Sequence, residues 1–109
     1  MDDKITFEQF KQVEIRMGKV TAAEKVEGAD KLLRLQVSFG EFERQIISGI
    51  AESYSPEEIV GKILPFVVNL EYRKFKGEES QGMLMAIDFD STSILRERAA
   101  EVPPSAEVV

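Results

Sequence analysis

Between Asn69 and Gly77 the chain reads Asn69-Leu70-Glu71-Tyr72-Arg73-Lys74-Phe75-Lys76-Gly77, three cations interleaved with two aromatics. Cations at this density neutralise phosphates. Tyr72 or Phe75 can stack on an unpaired base, a contact worth about 1–3 kcal/mol. The plain alternative is a solvated loop with Phe75 tucked into the core. Ser80-Gln81-Gly82-Met83 follows directly. Ser80 offers a hydroxyl to a base edge or a phosphate, Gly82 would let a ligand backbone come close, and Met83 is soft enough to pack on a flat base. Lys25 and Lys31 flank a turn elsewhere, and Arg16, Arg34 and Arg44 lie on strand-like stretches. Singly, each is a plain surface charge. They carry weight only if the fold gathers them around one groove.

Other chemistries are poorly served. The chain has no cysteine and no histidine, which removes the thiolate, the commonest general base and the commonest neutral metal ligand. Glu57/Glu58 and Glu78/Glu79 are paired carboxylates, but no nucleophile–base pair accompanies them. No catalytic residue, cofactor or metal is expected. The start Met1-Asp2-Asp3-Lys4 does not resemble a secretory signal, and no run approaches the roughly 20 apolar residues of a membrane span. A soluble, cytoplasmic protein without membrane contact is therefore expected. The net charge of −6 runs against a simple nucleic-acid footprint, which is usually basic. A local cluster still governs contact, whereas net charge governs long-range steering.

The elements that must hold these residues read mostly as strands. Thr6 with Gln9 predicts a capped helix over Phe7–Val13, with Phe7 and Phe10 on one face. Val13, Ile15 and Met17 then alternate with polar residues, but beyond Gly18 the apolar positions are Val20 and Ala22. That flip predicts a bulge at Gly18. Glu27–Asp30 reads as a turn. Leu33, Leu35, Val37 and Phe39 alternate with Arg34, Gln36 and Ser38, so one face is buried and one wet. Gly40-Glu41 supports a hairpin into a return strand, Arg44–Ile50. Ser55-Pro56-Glu57-Glu58 opens a second helix that Gly61 ends. Ile63–Val68 is a buried strand with Pro65 at an edge or bulge, Asn69–Gln81 a polar basic loop, and Gly82–Phe89 the last strand. The expected fold is all-β with short helices: a five-stranded OB-fold Greek-key barrel over about residues 13–90, with an N-terminal helix and a C-terminal extension over 91–109, all one domain. On such a barrel the loops between strands 1–2 and 4–5 frame an oligonucleotide groove. Phe7 and Phe10, with Ile94, Leu95, Val102, Val108 and Val109 of the extension, are apolar flanks that call for a partner surface, hence an expected homodimer.

The ordered set Ile15-Arg16-Met17-Gly18-Lys19-Val20, Ala29-Asp30-Lys31-Leu32, Arg44-Gln45-Ile46-Ile47-Ser48-Gly49-Ile50, Tyr54 with Pro56-Glu57-Glu58, Asn69-Leu70, Gly77 and Ser80-Gln81-Gly82-Met83-Leu84 resembles the EMAP II/methionyl-tRNA synthetase C-terminal type of tRNA-binding domain. The resemblance covers about residues 7–109. It implies a non-catalytic OB-fold that recognises tRNA largely by shape, as a stand-alone homodimer or as an appendage or subunit of methionyl-tRNA synthetase. One branch of the family is an export-related chaperone, so a protein-interaction module is the alternative. The resemblance points to Asn69, Arg73, Lys74, Ser80 and Met83 as tRNA-binding positions, with Lys76 beside them and Lys31, Arg16 and Arg44 as supporting cations. Two departures stand out. Glu27-Gly28 replaces the family's usual His-Pro, and Glu71-Tyr72 replaces a frequent Lys-Pro, setting an anion in the groove.

Overall fold

The computed structural model of the chain describes residues 3–89, 92–97 and 103–109. The long strand β1 (Ile15–Val26) is the hub. Its second half pairs with β2 (Ala29–Ser38), which pairs with β3 (Glu43–Ser48). Its first half pairs with β4 (Ile63–Val67), which pairs with β7 (Met83–Leu84). The order β3-β2-β1-β4-β7 is antiparallel throughout. The two ends of this order meet at a seam. There the Gln81 N–H donates to the Gln45 carbonyl (2.7 Å), and the Ile47 N–H donates to the Ser80 hydroxyl (3.0 Å). The seam gives the edge of β3 partners that an open sheet would leave unpaired.

The core follows the alternation read from β2. Leu33, Leu35, Val37 and Phe39 are fully buried with Ile46, Ile59, Leu64 and Phe66. Phe39 stacks on Phe42 at 5.0 Å and meets Phe66 edge-on at 5.6 Å. Ile15 and Met17 lie on one buried face of β1 and Val20 on the other, which is ordinary alternation in a strand covered on both sides; Ala22, expected to follow Val20, is exposed, and Ala23 packs on the core instead. The expected bulge is not at Gly18. Gly18 pairs with Leu64 in regular register, and the shift against β2 falls between Val20 and Ala22. Gly18 is instead a close approach, for a Cβ there would stand 2.6 Å from both Phe39 and Val37.

Helix α1 (Phe7–Lys11) is shorter than expected and buries none of its residues. Its capping box is present, with Thr6 and Gln9 exchanging hydrogen bonds of 2.8 and 3.1 Å. Helix α2 (Pro56–Ile59) sits between β3 and β4, as its cap residues predict, and buries Ile59. The expected loop after β4 is instead a hairpin of β5 (Arg73–Phe75) and β6 (Glu78–Ser80). Lys76 and Gly77 turn it, both at positive φ (52° and 82°), the backbone of a two-residue turn that favours glycine. The expected last strand is also broken: β8 (Ile87–Phe89) leaves the barrel and pairs with β9 (Thr92–Ile94). Beyond it, Leu95 is buried in the chain's own core. Finally β10 (Glu107–Val108) pairs with β1 at Arg16 and Ile15. Val102 of the expected apolar flank lies outside the described residues.

Candidate nucleic-acid interface

The two-residue turn Glu27-Gly28 joins β1 to β2, and Lys31 stands just beyond it. The β5–β6 hairpin comes up on the other side. Between them runs a groove of about 620 Å³ lined by Gly28, Ala29, Asp30, Lys31, Leu32, Lys74, Phe75 and Lys76. Three lysines from two separate hairpins thus meet across an apolar floor. Phe75 forms that floor. It is half-buried and packs with Leu32 on a small cluster of Val26, Ala29 and Ile47. One side of the ring joins this cluster while the ring still lines the groove. The exposed ε-ammonium groups of Lys31, Lys74 and Lys76 leave their donors free for phosphate oxygens.

Arg73 and Met83 stand apart from that groove, in an adjoining cleft of about 40 Å³ that shares Phe75. The Arg73 guanidinium lies 4.8 Å from the Phe75 ring centroid. Met83 remains exposed.

The other expected residues are held by the protein itself. Ser80 is 4 % exposed, accepts from the Ile47 N–H and donates to the Gly82 carbonyl at 2.9 Å. Arg44 donates to the carbonyls of Val68 and Gln81, each at 2.9 Å, and faces the rings of Phe42 and Tyr72. Asn69 accepts from the Glu14 N–H (2.8 Å) and donates to the Gln12 carbonyl (2.5 Å), which fastens the N-terminal segment to the end of β4. Arg16 bonds Glu14 at 2.6 Å and the Ser105 carbonyl at 3.0 Å, which fastens the tail. Gly82 does not open space for a ligand. A Cβ there would lie 2.8 Å from the Val67 carbonyl oxygen, so the chain's own backbone occupies the approach.

Four lining residues were not expected from sequence to bind, Gly28, Ala29, Asp30 and Leu32. Leu32 carried a signal. It precedes Leu33, so strict alternation sets it on the outer face, where an apolar residue asks for a cover. Arg34 also has more to hold than a surface charge does. It forms ion pairs with Glu24 and Glu78, and hydrogen bonding to Glu24, with both carboxylates' charge, pushes its pKa up.

The family model described as "Putative tRNA binding domain" matches residues 15–107. The chain belongs to this tRNA-binding family. It is a non-catalytic tRNA-binding domain. It is 42 % identical over 106 residues to a methionine–tRNA ligase of Archaeoglobus fulgidus, 50 % over 99 residues to that of Methanothrix thermoacetophila and 47 % over 104 residues to that of Thermotoga maritima. Those matches cover 97 %, 91 % and 95 % of the chain but only 16 %, 15 % and 16 % of the ligases, so it spans about a sixth of their length. Among solved structures, a MetRS-related protein from Pyrococcus horikoshii superimposes with a TM-score of 0.93 at 40 % identity, over 98 % of this chain and 99 % of that one. The chaperone CsaA from Bacillus anthracis superimposes at 0.88 with 26 % identity, over 98 % and 100 %. Among the described residues, no helix is long and apolar enough to cross a membrane.

Proposed function

We propose that tRNA lies across the groove between the β1–β2 turn and the β5–β6 hairpin, with Lys31, Lys74 and Lys76 on its phosphates and Phe75 as an apolar floor for a base or ribose. The observation that carries this is the convergence of three lysines from two hairpins on one groove. Arg73 and Met83 extend the surface through the adjoining cleft. Ser80 and Arg44 brace the seam next to the hairpin, whereas Asn69 and Arg16 fasten the N-terminal segment and the tail. The barrel is an OB-fold of about residues 13–90 within one domain that runs to residue 109. It works in the cytoplasm, as a homodimer or beside a methionyl-tRNA synthetase, a partnership the ligase relatives favour.

Filter binding of bulk tRNA tests the groove. Four phosphate contacts would give a log–log salt slope of about −3. Changing Lys74 and Lys76 together to Ala should weaken binding more than about tenfold and flatten the slope by about 1.5. The melting temperature should hardly move, because exposed cations contribute little to stability. Parent-like binding by that variant would place the site elsewhere.

The second reading, a chaperone-like module, has its own support. Met83, Met85, Ile87 and Phe89 are all exposed on consecutive alternate positions, and flexible methionines suit varied apolar partners. Substituting Ile87 and Phe89 with Ser would impair capture of an unfolded client and leave tRNA binding intact.

A further inference from the structure

The groove's hairpin arm is held by a single charged clasp. Arg34 stands opposite Glu24 in the β1–β2 register. Its Nε donates to Glu24 at 3.1 Å, its Nη2 reaches the same carboxylate, and its Nη1 reaches Glu78. Glu78 is the first residue of β6 and pairs directly with Phe75. One guanidinium therefore joins the barrel wall to the hairpin beside its turn, immediately next to the residues that carry Phe75, Lys74 and Lys76 into the groove. The remaining polar anchors lie further along, at Glu79, Ser80 and Gln81. Among the described residues, no other hydrogen bond or ion pair connects the barrel to residues 73–78.

The charge balance at this clasp is odd for a nucleic-acid surface. Two carboxylates surround one guanidinium, a local net charge of −1 close to a groove that must attract phosphate. Arg34 is three-quarters shielded, with 25 % of its side chain exposed. All three of its nitrogens already face carboxylate oxygens. A phosphate would have to displace them. Electrostatics alone would favour losing Glu78. Its presence beside the groove is accounted for if what it supplies is position.

We propose that Arg34 is a positioning residue for tRNA binding: through Glu78 it holds the β5–β6 hairpin docked, so that Lys74 and Lys76 face Lys31 across the groove, and it does not contact the RNA. This rests on the groove reading above. In the docked state the groove is complete. With the clasp open, the hairpin is docked for a smaller fraction of the time, and the apparent affinity falls by that fraction.

The test turns on a sign. Glu78→Gln removes an anion near the groove, so simple electrostatics expects tighter tRNA binding. The positioning role expects binding about threefold to fivefold weaker, the scale of one partly exposed ion pair. Arg34→Gln should weaken it to a similar extent, and the double variant should be no worse than the weaker single. The salt slope of Arg34→Gln should stay within about half a unit of the parent's, whereas losing a direct phosphate contact would lower it by about one. Amide hydrogen exchange at Lys74–Gly77 should quicken in both single variants, while exchange in the core strand β2 stays slow. Tighter binding by Glu78→Gln, a slope lowered by one, or additive losses in the double variant would each overturn the proposal. The Lys74/Lys76 variant, run in parallel, separates the two readings. If it binds like the parent, the groove itself is wrong and the positioning role falls with it. If it loses binding while Glu78→Gln gains, only the clasp is wrong.

Discussion

A hydroxyl that is 4 % exposed and already accepts one hydrogen bond and donates another has little left to offer a ligand. Ser80 is in that position, and its substitution separates scaffold from binding surface. Ser80→Ala would leave the Ile47 N–H and the Gly82 carbonyl without their partner. A buried group left unsatisfied costs about 1–3 kcal/mol, so the melting temperature should fall by about 5–15 °C. Affinity for tRNA, measured well below that temperature, should stay near the parent's. Lost affinity with unchanged melting would instead make Ser80 a ligand. Spacing singled out Ser80, Asn69, Arg16 and Arg44 as candidates. It could not tell which way each side chain turns, because their partners are distant in the chain. Ser80 is tied to a residue 33 positions earlier, and Asn69 to one 57 positions earlier. Lys31, Lys74 and Lys76, the lysines of the proposed groove, differ from these: each is exposed, in or close to a hairpin turn where solvent is the default partner.

The elements divide by how local their signals are. Helix α2 was legible because capping is local: Ser55, Pro56 and Glu58 sit within four residues. The Ser55 N–H donates to the Glu58 carboxylate at 2.9 Å, and this bond holds the carboxyl below the usual carboxylate range. A lowered folded-state pKa stabilises the fold above the unfolded value, and that stability disappears as the pH falls through the lowered one. Glu58→Ala should therefore melt below the parent at pH 7, and the gap should close as the pH falls below about 4. A gap that widens in acid would contradict this bond. The β5–β6 hairpin was missed because three-residue strands are too short for alternation to register. Arg73, Lys74, Glu78 and Glu79 also read as loop residues by propensity. Only Lys76-Gly77 marked the turn. The bulge was expected three residues too early for a related reason. Gly18 looked like the break, but its lack of a side chain answers Phe39, and only the β1–β2 register places the shift at Thr21.

For the whole molecule, the puzzle is a chain of net charge −6 that binds a polyanion. Screening resolves part of it, because charges beyond about 8 Å count little at physiological salt, and lysines at the proposed groove would act at contact. Valency would supply more if the apolar flank pairs two copies. Helix α1 is five residues long with nothing buried, and Phe7 is 72 % exposed. A helix that short has no stability of its own without packing. Phe7, Phe10, Val13, Val108 and Val109 line a groove of about 240 Å³ with Ile15 at its base. A second copy laid on this face by a two-fold axis would cover both patches at once. Two grooves on one particle would then raise apparent affinity if one tRNA reaches both. Removing the whole tail is a poor test, since Leu95 belongs to the core. Point changes are cleaner. Light scattering of the intact chain should report about twice its 12.3 kDa mass. Phe7→Ser with Phe10→Ser should give a folded monomer that keeps its melting profile in the barrel strands and binds tRNA less tightly. A monodisperse monomer of the intact chain at micromolar concentration would refute the dimer and leave α1 without a reason to fold.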